Sequence, residues 1–155
     1  MSRDQLVTDW VASRFPNQSV EITPASADAS FRRYFRLTWP EGGTRILMDA
    51  PPDKEDCKPF IHVAGLLAKA GLAAPHVVDQ DLVNGFLVLT DLGRIGYLDA
   101  LNADLSLADT LMRPVLDVLV KWQLSSRAST LPPYDATLLR RELDLFPEWF
   151  VGRHL

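Results

Sequence analysis

Apolar residues alternate between two rhythms along this chain, and the switch between them divides it in two. Leu6, Val7, Trp10, Val11 and Phe15 recur at helical spacing, so residues 3–15 are predicted as an amphipathic helix that stops at Pro16-Asn17. Val20, Ile22 and Pro24 then alternate with polar residues as a short strand. A loop of small residues follows from Ala25 to Ser30. Phe31–Trp39 and Thr44–Asp49 read as two further strands, joined by the hairpin signal Pro40-Glu41-Gly42-Gly43. A helix is predicted from Cys57 to Ala70, closed by Gly71. His76–Val78 and Phe86–Thr90 are strands turning at Asn84-Gly85. Beyond Asp91-Leu92-Gly93 the rhythm becomes helical: Leu107, Leu111, Val115, Val118 and Trp122 form one stripe, and Leu139, Leu143 and Phe146 another.

Helix, three strands, helix, two strands, joint and helices make an α+β chain of two lobes. The expected boundary places an N-lobe at residues 1–92 and an incomplete helical C-lobe at 93–155. The 155 residues are enough for one complete lobe and part of a second. Hydrophobic residues at 47% and charged residues at 23% are ordinary for a globular protein. A net charge of −4 argues against a nucleic-acid partner. The single cysteine, Cys57, allows no internal disulfide. With charges in the first four residues and no apolar run of membrane-spanning length, the chain is expected to be cytoplasmic and to engage no membrane.

Several separated segments agree, in order, with one family. They are Ala25-Ser-Ala-Asp-Ala-Ser-Phe-Arg-Arg-Tyr-Phe-Arg36, Met48-Asp-Ala-Pro-Pro52, Glu55-Asp-Cys57, Leu131-Pro-Pro-Tyr-Asp135 and Leu138-Leu-Arg-Arg-Glu-Leu-Asp-Leu-Phe-Pro-Glu-Trp149. Together they resemble the aminoglycoside phosphotransferase (APH) superfamily, and within it the anomeric N-acetylmuramate/N-acetylglucosamine kinases of cell-wall recycling. The resemblance implies a protein-kinase-like fold: a five-stranded, mainly antiparallel N-lobe with one inserted helix, plus the start of a helical C-lobe. It also implies ATP and Mg2+ as cofactors and a small-molecule amino sugar as acceptor, phosphorylated at its anomeric hydroxyl.

Phosphoryl transfer needs a phosphate cradle, cations, magnesium ligands and a carboxylate beside the acceptor hydroxyl. Ser26, Asp28 and Ser30 lie in the small-residue loop, which serves either as that cradle or as a plain hairpin connection; it contains no glycine. Arg32, Arg33 and Arg36 follow, and alternation sets Arg32 and Arg36 on one face and Arg33 on the other. They point at phosphates or at solvent.

Kinases of this fold usually carry a lysine or arginine on the third strand, paired with a glutamate on the next helix. The corresponding positions here read as Asp49 and Phe60 or Ile61, so another cation is expected: Arg33, Arg36 or Lys58. Resemblance makes Leu89, Thr90, Asp91 and Leu92 the hinge, with backbone groups of Thr90 and Leu92 on the adenine edge. Asp79-Gln80-Asp81 reads as a solvated loop, and Trp149 and Phe150 as core residues. His62, His76 and His154 lack partners at metal-ligand spacing, and Cys57 has no paired base.

The catalytic His-x-Asp with its asparagine, and the magnesium-binding aspartate, find no match in these residues. The chain therefore reads as inactive alone, its catalytic and metal residues expected beyond Leu155 in a missing C-terminal half. Two other readings stay open: a non-catalytic module binding nucleotide or a partner, and a kinase of a different alcohol.

Overall fold

The computed structural model describes residues 2–27 and 30–155. The chain divides into two compact units, the first running to Trp122 and the second covering Gln123–Leu155.

The first unit opens with helix α1, Arg3–Arg14, whose N-terminus is capped by the Ser2 hydroxyl accepting from the Gln5 amide. Strands β1 (Glu21–Ala27), β2 (Arg33–Thr38) and β3 (Thr44–Asp49) form an antiparallel meander. Helix α2 (Cys57–Lys69) follows, and β4 (Val77–Asp81) and β5 (Phe86–Thr90) complete a five-stranded antiparallel sheet in the order β1-β2-β3-β5-β4. Helices α3 (Tyr97–Ala103) and α4 (Ala108–Ser125) are joined by a 3-10 turn over Leu105–Leu107. The α+β architecture expected from the sequence is present.

The sheet is covered on both faces, which is why β5 is a continuous apolar run. On one face Val7, Trp10 and Val11 of α1 pack against Leu37, Leu47, Phe86 and Val88, with the Trp10 and Phe86 rings 5.1 Å apart. On the other, Met48, Ala50, Leu87 and Leu89 pack with Cys57, Phe60 and Ile61 of the α2 region. Burial pushes the Cys57 thiol up, as suits a side chain used for packing.

Two strands differ from expectation. β1 continues past Pro24 to Ala27 through a register shift between Pro24 and Ser26. Proline is tolerated there because β1 is an edge strand and a bulge absorbs the missing donor. Asp79, Gln80 and Asp81, expected as a solvated loop, belong to β4. Asp79 pairs with Arg14, and Asp81 accepts from the Trp10 indole at 2.8 Å, so their carboxylates tie α1 to the sheet edge.

In the second unit α5 (Ala136–Leu145) is capped by Asp135, which accepts from the Leu138 amide at 2.9 Å. Pro147 cannot donate within a regular helix, and the chain widens into a π-helical segment over Phe146–Val151, where the Gly152 amide reaches the Pro147 carbonyl. A final helical turn covers Gly152–His154. Trp149 and Phe150, expected in a core, are about half exposed. Arg153 lies 4.3 Å over the Trp149 ring, and Phe150 stacks on Phe146, its neighbour one turn earlier.

Candidate functional site

An open cavity of about 590 Å³ lies on the α2 face of the sheet. Ala25 and Ser26 of β1, Tyr34 and Arg36 of β2, Ile46 of β3 and Leu89 of β5 line one side. Phe60 of α2 and the stretch from Thr90 to Gly96 complete it. Strand alternation and register produce this wall: Tyr34 and Arg36 are two residues apart on β2, Ile46 stands directly opposite Arg36, and Leu89 directly opposite Ile46. Six of the predicted site residues meet here: Ser26, Arg36, Leu89, Thr90, Asp91 and Leu92.

The others are elsewhere. Asp28 lies outside the described residues. Ser30 stands in the turn before β2, where its hydroxyl accepts from the Arg32 amide at 3.1 Å. Arg33 points to the α1 face, where it bonds Asp49 and Asp4 and lies 5.3 Å over the Phe35 ring. Lys58 is exposed in the first turn of α2.

Asp49, expected opposite α2, stands on the other face of the sheet. The residue facing α2 is Met48, packed with Phe60 and Ile61. Asp49 points to the opposite face, fully buried, where its two oxygens take four hydrogen bonds from Arg3 and Arg33. The period of two decides this: a register error of one residue exchanges the faces. On the α2 face, the end of β3 therefore meets the helix through an apolar contact.

The segment after β5 is held by a buried ion pair that sequence reasoning missed. Arg36, only 6% exposed, donates from Nε to Asp91 Oδ2 at 2.6 Å and from Nη2 to Asp91 Oδ1 at 3.1 Å. The same Nη2 donates to the Gly93 carbonyl at 2.8 Å, and the Gly93 amide closes back on Asp91 Oδ1 at 2.9 Å. The two residues are 55 apart in sequence, and only the sheet order brings them together. At Thr90 the amide is committed to the His76 carbonyl at 3.0 Å, while the hydroxyl accepts from the His76 amide. Among the described residues no protein acceptor takes the Leu92 amide.

The Arg36 guanidinium holds the Asp91 carboxyl well below the usual carboxylate range, against the opposing effect of burial. Arg14 lowers Asp79 and the Asn84 side chain lowers Asp81 in the same direction. An unfolded aspartate titrates near about 3.9, so on acidification the unfolded chain takes up protons before these folded carboxylates do. Stability from all three is therefore complete above about pH 5 and drains away as pH falls through about 4 and below. Urea midpoints measured from pH 6 down to pH 3 should fall, and Asp91→Asn should flatten that slope.

A model of the phosphotransferase enzyme family (APH) matches residues 21–155. The chain belongs to that family. It is 50% identical to an N-acetylmuramate/N-acetylglucosamine kinase of Pseudomonas aeruginosa, an alignment covering 99% of this chain and 48% of that protein. Kinases of the same name from Pseudomonas putida and Neisseria meningitidis are 51% and 38% identical, over 86% and 100% of this chain and 39% and 46% of theirs. The chain thus spans less than half the length of these curated relatives. The five-stranded sheet with its inserted helix is the N-lobe of the kinase-like phosphotransferase fold. Among the described residues no helix is long and apolar enough to cross a membrane.

Proposed function

We propose that this chain is the ATP-binding N-terminal part of a cytoplasmic kinase that phosphorylates the anomeric hydroxyl of N-acetylmuramate and N-acetylglucosamine. The observation that carries the reading is the cavity of about 590 Å³ between the sheet and the Thr90–Gly96 segment, in a chain whose relatives bear that kinase name. The residues present suit a nucleotide. Ile46 and Leu89 offer apolar surface to a flat ring, the Leu92 amide offers a donor to its edge, and Ser26 offers a hydroxyl at the β1 end. Committing the Thr90 amide to His76 leaves Leu92 as the hinge donor in this reading. ATP supplies the phosphoryl group; these residues bind it, orient it and shield the base from water.

Among the described residues no group of three or more His, Cys, Asp or Glu side chains is placed to hold a metal ion. The reading therefore assigns Mg2+ and the catalytic carboxylate to sequence matching the second half of the relatives, and it divides the N-lobe from the helical part near residue 92. The test compares this 155-residue chain with a longer polypeptide carrying that half, assayed for phosphate transfer from ATP to each sugar. Transfer by the longer form and none by the short one is expected. Sugar phosphorylation by the short chain would overturn the division of labour, and failure of both sugars as acceptors for the longer form would remove the substrate assignment.

A further inference from the structure

The cavity offers one cation among its named walls that is close to fully buried, Arg36, and its Nε and Nη2 donors are already spoken for. Two of its bonds go to Asp91 and one to the Gly93 carbonyl, and Asp91 in turn accepts from the Gly93 amide. The residue enclosed by these bonds is Leu92, whose amide lacks a protein acceptor among the described residues. Gly93 holds φ at +106°, a conformation that L side chains rarely adopt, so the backbone closes tightly just after Leu92.

We propose that Arg36 is a positioning residue for the base end of the nucleotide subsite, acting through Asp91 and Gly93, and not a phosphate ligand. This rests on the nucleotide reading above. A buried, bidentate guanidinium–carboxylate pair is strong and directional, and removing either partner strands the other charge. The Nε and Nη2 edge of Arg36 is committed to Asp91 and Gly93, which leaves Nη1 alone to meet any other group. Kept in place, it pins the Asp91 side chain and the Gly93 peptide groups that flank Leu92, and so restrains the backbone that carries the Leu92 amide before a ligand arrives. Preorganisation of this kind raises affinity for the group contacted and leaves distant groups of the same ligand unaffected. The function of Arg36 is thus tied to the base and is separable from the triphosphate.

The experiment measures dissociation constants of the 155-residue chain for ATP, adenosine and inorganic tripolyphosphate. Wild type is compared with Arg36→Met, Arg36→Lys and Asp91→Asn. Adenosine affinity should fall about ten-fold in Arg36→Met and by a similar factor in Asp91→Asn, since each breaks the same clasp. Tripolyphosphate affinity should stay within about two-fold. Arg36→Lys should recover part of the loss, because an ammonium keeps the charge but not the paired geometry. A general loss of structure would lower both ligands together. Should Arg36→Met fail to fold, the lysine and asparagine variants carry the same comparison. Loss of tripolyphosphate binding with adenosine unchanged would make Arg36 a phosphate ligand and overturn the proposal. Unchanged affinity for every ligand would overturn it too, while leaving the nucleotide reading intact. If wild type binds neither ATP nor adenosine, the nucleotide reading fails and the proposal falls with it.

Discussion

Asp49→Ala should lower the unfolding free energy of the sheet-bearing unit by about 3 kcal/mol or more. The carboxylate is fully buried, and Arg3 and Arg33 each deliver two hydrogen bonds to it, between 2.5 and 2.9 Å. Taking it away leaves two guanidinium groups facing each other across an emptied site. Arg33 keeps Asp4, and Arg3 keeps the Asn84 carbonyl and the Phe86 ring at 4.7 Å, so part of the charge stays compensated. Both arginines also reach water, which holds the loss near the lower end of the range for a broken buried pair. Asp49→Asn preserves the shape but turns an amide NH2 towards one guanidinium, so a comparable loss is expected. With urea m-values of about 1–3 kcal/mol/M, the midpoint should drop by about 1 M or more. A shift below about 0.3 M would mean that the network is exchangeable for water and does not hold α1 in place.

Gly85→Ala should be nearly as damaging, by another route. Gly85 holds φ at +72°, and a Cβ there would stand 1.9 Å from the Ala50 carbonyl oxygen and 3.1 Å from Pro52 Cδ. The clash is with backbone, which cannot rotate away. The Ala50 amide also donates to the Gly85 carbonyl at 2.8 Å, so any retreat of the turn breaks that bond. The left-handed conformation costs a residue with a side chain about 1–2 kcal/mol, and overpacking adds about 1–3 kcal/mol. A loss of about 2–5 kcal/mol follows. Equal stability of wild type and Gly85→Ala in urea would show that the turn and the end of β3 can separate without loss. Asn84 and Gly85 adjoin the Asp49 site, so the double variant should lose less than the sum of the two.

Those two sites also mark what a single sequence can and cannot convey. Asn84-Gly85 between two apolar runs announces its turn from local chemistry, and the turn is where it was read. β3 and β5 were legible to the residue because their apolar residues are bounded by turn signals. Partnership across the sheet was not. Whether Asp49 or Met48 faces α2 depends on a one-residue phase that local pattern leaves open, and the presence of α1 on the second face is what buries both parities. Arg36 had the same difficulty: alternation placed it on the proper face, yet Asp91 becomes its partner only once β3 and β5 lie side by side. The acids of β4 looked like a loop because a strand carrying two carboxylates lacks the usual β signature. The break after β5 was readable from Gly93 and the change of rhythm. The commitment of the Thr90 amide to His76 was not, since backbone bonds leave no trace in side-chain identity.

The Asp49 network has a consequence for how this chain comes into being. Arg3 binds a carboxylate 46 residues away and a carbonyl 81 residues away. The docking site of α1 is therefore incomplete until the turn at Asn84 and the strand beyond it have been synthesised. At about 5–20 residues per second, that is a wait of about 4–16 s before Val7, Trp10 and Val11 can be fully covered. During that interval the apolar stripe of α1 has only part of its partner surface, so the order of translation leaves its packing to be completed late.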